Sequence, residues 1–459
     1  MNIKRAILFT PLFPSRFEGM PIGLLKLGTY LNSAEIETNI IDLTSQSANR
    51  LPSNDKLNSI IDDELKEIVN PNETFIGISI TSPSLLEGLD LANKIREKIK
   101  ECVIGIGGVH LRYEKNFLNN PMTSSIDFAY HGNALPYEKI FSYLKGNLDP
   151  FNIPNFSFKR DGKITYTYDC VIKDDFLLPN FNLLTEPSIY TYGILKARVE
   201  SRKVTTAQLS TSYGCHHSCR FCTICNSKPP NIQPFNEMIS NFEKLKYQGI
   251  DFIFFDDPTF TDDEEHTELL LNALTKIKFN WACQTRIDKV NPKLIETMKK
   301  AGCQYIYYGI ESGDKIIKEF LNKPLENNLI IENIKSTLQN GITPSLSFIF
   351  GVPIENESSR INSYELIKEI DKIGIYNNGI SPLISPSFYA VYPGSNAEKD
   401  LLSSNTNLDY FNSYSREKIW TSFDDGYGAF HYKDEMYAKL VLDEFNDVIN
   451  KCKYVKAIT

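Results

Sequence analysis

The sequence has no apolar run near the roughly 20 residues that a helix needs to cross a bilayer, so no membrane span is predicted. It has no excess of basic charge: 49 Lys and Arg stand against 57 Asp and Glu, a formal net charge of −8. Such a balance lacks the overall basic footprint of a nucleic-acid binder, and no nucleic acid is expected as a partner. There is no internal repeat and no low-complexity tract. Lys4 and Arg5 precede the apolar Ala6-Ile7-Leu8-Phe9, but Pro11 and Pro14 break that run. It is therefore not read as a secretory leader, and a cytoplasmic location is expected. The nine cysteines are an odd number, and four of them fall within eleven residues. That clustering points to metal ligation in a reducing compartment and away from a disulfide framework.

What is present is an ordinary globular composition, 42% apolar and 23% charged, in a chain of 459 residues. That length predicts two or three domains. The stretch Gly214-Cys215-His216-His217-Ser218-Cys219-Arg220-Phe221-Cys222 spaces three thiols as C-x3-C-x2-C. Cubane iron–sulfur clusters ordinarily take four thiolates. A triplet on one loop therefore leaves one iron open to a small chelating molecule. An alternative uses Cys225 as a fourth ligand, closing a structural zinc or electron-transfer centre in a metal-stabilised binding module. Inert packed thiols are a weaker alternative, because buried free cysteines rarely cluster.

From Ile3 onward, short apolar runs alternate with amphipathic helical patterns, the rhythm of a parallel sheet wrapped by helices. Strands are predicted at Ile7–Phe9, Ile40–Asp42, Ile76–Ile80, Val103–Gly108 and Phe128–Gly132, with a helix over Gly23–Leu31. Ligands of such sheets sit at the carboxyl ends of the strands. That rule gathers Thr10, Pro11, Thr81, Ser82, Gly107, Gly108, His110, His131 and Gly132 around one crevice. Residues 151–199, rich in Pro and Asn, read as an irregular connection. The alternation resumes with strands at Ala207–Ser212, Ile253–Phe255, Ile306–Gly309, Ser345–Phe350 and Phe388–Val391, and helices at Phe235–Gln248, Glu264–Ile277 and Leu294–Lys300. The tail holds Trp420, Phe423, Tyr427, Phe430, His431 and Tyr432 and then a helical pattern over Asp434–Asn450; its aromatics read as a core cap. Cys283 and Cys303 read as packed thiols.

Several strand ends carry polar residues beyond the cysteine loop. They are Phe254-Phe255-Asp256-Asp257-Pro258, Trp281-Ala282-Cys283-Gln284-Thr285-Arg286, Tyr308-Gly309-Ile310-Glu311-Ser312-Gly313, Phe350-Gly351-Val352-Pro353 and Tyr392-Pro393-Gly394-Ser395. Each has a plain reading alone: Asp256 and Asp257 as turn or capping acids, Arg286 and Glu311 as a surface pair, Gly351 and Gly394 as turn glycines. In this order behind a C-x3-C-x2-C loop, the set resembles the radical S-adenosylmethionine superfamily, in particular its subgroup with an N-terminal cobalamin-binding domain. The resemblance covers most of the chain.

The resemblance implies an α/β protein: a Rossmann-like parallel-sheet domain over residues 1–150, a connection over 151–200, an open (β/α)6 partial TIM barrel over 201–399, and a small α-rich segment over 400–459. It implies that Cys215, Cys219 and Cys222 hold a 4Fe-4S cluster. It further implies that Phe221, Asp256 or Asp257, Arg286, Glu311 and Gly351 adjoin S-adenosylmethionine on the open iron. The first domain is similar to the cobalamin-binding one in Met20–Leu25, Ser79–Thr81 and Gly107–His110. The cobalamin contacts so implied are Thr10, Pro11, Gly23, Ser79, Thr81, Gly107, Gly108, His110 and Gly132. Two departures stand out. No D-x-H-x-x-G motif supplies a lower cobalt ligand, and His131-Gly132-Asn133-Ala134-Leu135 stands where relatives carry a Gly-Glu-Gly-Glu run.

The chemistry implied is one-electron cleavage of S-adenosylmethionine to methionine and a 5′-deoxyadenosyl radical, which takes hydrogen from an unactivated carbon. Methyl transfer from methylcobalamin to that carbon of a natural product, lipid or peptide is the implied outcome. A radical rearrangement or cyclisation is the alternative. A ferredoxin or flavodoxin is the expected electron donor. Cys219→Ala is predicted to abolish 5′-deoxyadenosine in an anaerobic assay read by chromatography; normal formation would overturn the cluster assignment.

Overall fold

In the computed structural model the described residues are 2–12, 19–43, 54–82, 84–132, 134–173, 176–184, 206–224, 230–374, 379–392, 394–403 and 435–457. They form two compact units, one from the chain up to residue 184 and one from residue 206 onward. Among them, no helix is long and apolar enough to cross a membrane.

The first unit is a seven-stranded sheet. Its strands are β1 (Arg5–Thr10), β2 (Glu37–Asp42), β3 (Thr74–Ser79), β4 (Val103–Gly107), β5 (Phe128–Tyr130), β6 (Phe156–Arg160) and β7 (Lys163–Tyr166), in the order β2-β1-β3-β4-β5-β6-β7. The first five in that order run parallel, and β6 and β7 are antiparallel additions. Near-continuous apolar runs form β1, β3, β4 and β5, the pattern of strands covered on both faces. On one face Ile7, Phe9, Ile76, Ile78, Ile104 and Ile106 share a core with Leu57, Ile61 and Leu65 of α2 (Asn54–Lys66) and Leu89, Ala92 and Ile95 of α3 (Leu85–Lys98). The other face of β2 receives α1 (Ile22–Ser33), whose Gly28 lies against Thr38 and Ile40. Tyr30 of α1 stacks at 5.4 Å on Tyr137 of α4 (Tyr137–Leu144). The chain reverses its winding between β1 and β3, the switch point where open sheets leave a crevice.

The expected irregular connection after residue 151 differs from what forms. β6 and β7 extend the sheet as a hairpin turning at Asp161 and Gly162, both at positive φ (51° and 73°). An Asp-Gly pair with both residues left-handed matches the twist of the flanking strands.

The second unit is a second seven-stranded sheet, parallel throughout, in the order β8-β11-β12-β13-β14-β15-β16. Its strands are β8 (Thr206–Leu209), β11 (Phe252–Phe255), β12 (Asn280–Thr285), β13 (Cys303–Glu311), β14 (Thr343–Phe350), β15 (Leu383–Phe388) and β16 (Lys456–Ala457); a separate two-strand ladder joins β9 (Ser212–Tyr213) to β10 (Asn231–Ile232). The outer strands β8 and β16 do not pair with each other, so the barrel is open. Helices follow the strands: α5 (Phe235–Tyr247), α6 (Glu264–Ile277), α7 (Pro292–Lys300), α8 (Lys315–Phe320), α9 (Asn327–Gln339), α10 (Glu357–Ile373), α11 (Asn396–Ser403) and α12 (Glu435–Lys451). Phe255, Phe260 and Trp281 pack ring on ring at 5.0–5.7 Å, with the indole N–H donating to the Ala301 carbonyl at 2.8 Å. Cys283 and Cys303 are buried, as their strand positions predict.

Two elements correct the expected pattern. The sixth barrel strand lies at Leu383–Phe388 rather than Phe388–Val391, with Pro386 inside it. β16 covers only Leu383 and Ile384, so Pro386, which has no N–H to donate, sits where β15 is an edge. The C-terminal helix α12 belongs to the barrel unit: Glu444 receives the Arg360 guanidinium at 2.9 and 3.1 Å, and Phe445 meets Phe350. The chain then returns along the sheet as β16, held by the Asp371 carboxylate, which accepts the backbone N–H of Lys453, Tyr454 and Val455 at 2.7–3.0 Å. The tail aromatics from Trp420 to Tyr432 lie outside the described residues.

Gly108, just after β4, has φ +115°, and a Cβ there would lie 2.1 Å from the Ile80 carbonyl oxygen. Backbone rather than a movable side chain blocks it, so Gly108→Ala is predicted to cost about 2 kcal/mol or more. Thermal unfolding reads this as a lowered transition; an unchanged one would contradict it.

Candidate functional site

The cysteine loop begins where β8 ends. Its root is fixed by Asp257, a buried residue two beyond β11, whose Oδ1 accepts the Thr211 and Ser212 hydroxyls at 2.8 and 2.6 Å and whose Oδ2 accepts the Thr211 N–H at 3.0 Å. Burial pushes this carboxyl up, and those hydrogen bonds oppose the rise. The Thr211 hydroxyl donates to Asp257, so it accepts from His266 Nε2, 2.9 Å away, which places the proton on that nitrogen. The β9–β10 ladder pairs Tyr213 with Asn231 and closes the base of the loop.

The loop is also tied along its length. Arg220 donates its N–H to the Leu321 carbonyl (2.9 Å) and its Nε to the Phe320 carbonyl (2.6 Å), lies over the Phe320 ring and pairs with Asp400. Asn322 Nδ2 donates to the Ser218 carbonyl at 2.7 Å. On the other side Asp262 Oδ2 accepts the His216 N–H at 3.1 Å and meets its Nδ1 at 2.8 Å. Burial raises the Asp262 carboxyl, but the His217 ring beside it and hydrogen bonds from His216 outweigh it and hold the group well below the usual carboxylate range. Cys215, Cys219 and Cys222 are all half-buried, and so is Phe221. Cys225 lies outside the described residues.

Arg286, at the end of β12, reaches this loop. Its Nη1 lies 3.5 Å from Cys219 Sγ, while Nε and Nη2 hold Asp288 at 2.9 and 2.7 Å. Burial pushes the Cys219 thiol up, and the Lys323 and Arg286 charges pull the other way. Thr259 Oγ1 lies 3.5 Å from Cys215 Sγ.

The paired acids separate in role by surroundings. Asp257 has its carboxylate filled by the loop root. Asp256 opens to solvent at the strand end, yet protein crowds it: burial pushes its carboxyl up to about 6, helped by the Asp257 charge and opposed by a hydrogen bond from Gln208. Glu311 is buried at the end of β13 with φ +67°, and its Oε1 accepts Lys323 Nζ at 2.6 Å in an ion pair whose side chains are each 6% exposed. A Cβ at Gly309 would lie 2.3 Å from that Glu311 oxygen and 2.4 Å from Lys323 Nζ, so only glycine leaves room for the pair. Lys323 has no signal of its own in the sequence; it sits in a turn, brought in by the fold. Gly351 has φ +73°, and its N–H donates to Glu355 Oε1 at 2.9 Å.

In the first unit, Thr10 ends β1, Ser79 ends β3 and Gly107 ends β4; Pro11 and Gly108 follow directly, and Thr81 follows β3 after Ile80. The Thr10 hydroxyl is buried without a hydrogen-bond partner, and a Cβ at Gly107 or at Gly23 in the first turn of α1 would meet no atom within 4 Å. His110 is buried with Nδ1 3.0 Å from the Ser82 hydroxyl. His131, next to Gly132, spans the Leu111 carbonyl (3.0 Å) and the Ser157 hydroxyl (2.7 Å); burial lowers it to about 4, so it is neutral and committed to the sheet.

Removing one partner of a buried ion pair strands the other charge. Lys323→Met is predicted to cost about 3–5 kcal/mol, with much of that recovered by adding Glu311→Gln, in denaturant unfolding of the metal-free protein. A single variant as stable as the parent would contradict the pair's geometry.

Residues 209–367 match the Radical SAM superfamily. An uncharacterized methyltransferase of Pyrococcus horikoshii is 25% identical over 388 residues, covering 81% of this chain and 79% of that protein. Among solved structures, the radical S-adenosylmethionine methyltransferase TsrM from Kitasatospora setae, with cobalamin and a [4Fe-4S] cluster bound, superposes with a TM-score of 0.70 at 12% identity, covering 100% of this chain and 93% of that one. The cobalamin-dependent S-adenosylmethionine radical enzyme OxsB, with aqua-cobalamin and S-adenosylmethionine bound, gives a TM-score of 0.59 at 15% identity over 98% of this chain and 63% of its own. At those identities the likeness is one of fold. The matched domain carries the cysteine loop at the end of its first strand, so residues 209–367 are a Radical SAM superfamily domain.

Proposed function

We propose that the chain is a cobalamin-dependent radical S-adenosylmethionine methyltransferase acting on a carbon of a natural product, lipid or peptide, with a ferredoxin or flavodoxin as electron donor in the cytoplasm. The observation that carries this reading is the joining, in one chain, of an open barrel bearing the cysteine loop to a doubly wound sheet with a crevice at its switch point. Residues 1–150 and 201–399 are the proposed cofactor domains.

The residues fit the groups. Three half-buried thiols on a loop tied at both flanks, with a guanidinium 3.5 Å from one sulfur, suit an anionic iron–sulfur cluster. In the crevice, the unpartnered Thr10 hydroxyl and the open space at Gly107 and Gly23 suit a large polar ligand laid against strand ends. When bound, the cluster and S-adenosylmethionine supply a carbon radical and the corrinoid a methyl group; the protein orients them and excludes water.

Within that frame each side chain has a task. Cys215, Cys219 and Cys222 are the iron ligands. Arg286 neutralises the Cys219 sulfur and adjoins the carboxylate end of the ligand. Asp256 is the acceptor for the ligand's cationic amino group, because Asp257 is spent on the loop root. Lys323 holds the Glu311 carboxylate in place through their 2.6 Å contact, and Gly351, turned by Glu355, shapes the wall. His131 is excluded as a lower cobalt ligand, since both of its nitrogens are occupied.

The test is cobalt content after oxygen-free purification, cluster rebuilding, exposure to a cobalamin and desalting. Stoichiometric cobalt supports the reading, and none overturns the cobalamin part. A product without an added methyl group would favour rearrangement or cyclisation. The Asp256 role adds a pH signature. Below about 6 its carboxyl is protonated and attracts a cation poorly; above that it is ionised. Affinity of the cluster-loaded protein for S-adenosylmethionine is predicted to fall about tenfold per pH unit below 6. In Asp256→Asn affinity is weaker and flat across that range. An unchanged profile in the variant would remove Asp256 from the site.

A further inference from the structure

The side chains flanking Cys215 form a second ligand set. Cys215 Sγ, a ring nitrogen of His217 and a carboxylate oxygen of Asp262 all lie within 4.8 Å of one another. His217 Nε2 and Asp262 Oδ1 are buried atoms without a hydrogen-bond partner, although they stand 3.4 Å apart. That spacing is the edge of a coordination tetrahedron: N and O ligands about 2.0–2.2 Å from a zinc-like ion lie about 3.3–3.6 Å apart. Asp262 Oδ2 is pinned by the His216 N–H and ring. Oδ1 is thereby left toward His217 as a monodentate donor. A thiolate, a carboxylate and a neutral imidazole leave no net charge around a divalent ion, with a fourth position for water. Lys289 Nζ, 3.6 Å from Oδ1, is an opposing charge beside the carboxylate, and its side chain is 35% exposed; the Arg286 charge acts on Cys215 as well.

The geometry points to a divalent transition-metal site, for ferrous iron or zinc, formed by Cys215, His217 and Asp262 in the cluster-free protein. Because Cys215 also serves the cluster, the two occupancies exclude each other: the site holds a first metal ion before the cluster forms, and zinc held there delays assembly. This competition rests on the proposed role of Cys215 as a cluster ligand, whereas the site itself rests on the placement of the three side chains.

Cobalt(II) is the probe, because thiolate ligation gives a charge-transfer band and tetrahedral geometry gives intense visible bands. Chelator-stripped full-length protein is titrated anaerobically. The expected result is one equivalent bound with a thiolate band, retained in Cys219→Ala/Cys222→Ala and weakened at least tenfold in His217→Ala and in Asp262→Asn. The amide of Asp262→Asn can still accept the His216 N–H, so loop folding is preserved. Zinc added first is expected to slow cluster rebuilding in the parent and not in His217→Ala. No stoichiometric cobalt, or binding that survives His217→Ala but is lost in the double cysteine variant, would overturn the site. Rebuilt 4Fe-4S absorption in the double variant would instead overturn the cluster reading, so the two failures are separable.

Discussion

The candidate site depends first on one buried carboxylate at its root. Asp257 receives two hydroxyls and a backbone N–H from Thr211 and Ser212. Without it the chain leaving β8 would carry unpaired donors into a buried place, each costing about 1–3 kcal/mol. With it, the direction in which the cysteine loop departs is set by the end of the neighbouring strand. The arrangement is over-determined, since His266 supports the Thr211 hydroxyl from α6 and Phe255, the residue two before Asp257, is locked in the Phe260–Trp281 aromatic stack. Precision at the loop is thereby inherited from the rigid sheet rather than from the loop itself.

A second constraint is charge. The interior next to Cys219 holds two cations, Arg286 and Lys323, each bound to its own acid, Asp288 or Glu311. Buried charges are tolerable only when paired and hydrogen-bonded. Each cation is compensated by its acid, and Arg286 Nη1 still lies 3.5 Å from the Cys219 sulfur. The strained φ of Glu311 and the bare Cα of Gly309 are the backbone consequences of fitting that pair at the end of β13. In the first unit the same logic assigns His131 to structure: its two nitrogens bridge a helical turn and β6, and burial keeps it neutral.

The sequence shows these features unevenly. The cysteine triplet is legible because cluster ligation needs thiols at short spacing on one loop, and the alternating strands are legible because a sheet covered on both faces needs continuous apolar runs. Helix α6 is readable to its limits, Glu264–Ile277, since Asp263 caps it. Asp262, beside that cap, looks in sequence like a second capping acid, and only the fold shows it gripping His216. Lys323 is illegible for the same reason: it meets Glu311 across a turn with no periodicity. The β6–β7 hairpin, by contrast, carries its Asp161-Gly162 turn signal openly, hidden only by the surrounding prolines and asparagines. The choice between Asp256 and Asp257 needs hydrogen-bond partners, which adjacent identical residues cannot reveal.

The central claim is that three thiols leave one iron open for a ligand held by the strand ends. Electron paramagnetic resonance of the reduced, rebuilt protein with and without S-adenosylmethionine tests it most directly. A four-iron signal whose g-values shift on adding S-adenosylmethionine is the predicted result. A signal that is identical in both samples, and unaltered by Arg286→Ala, would mean a fully ligated cluster and would contradict the account.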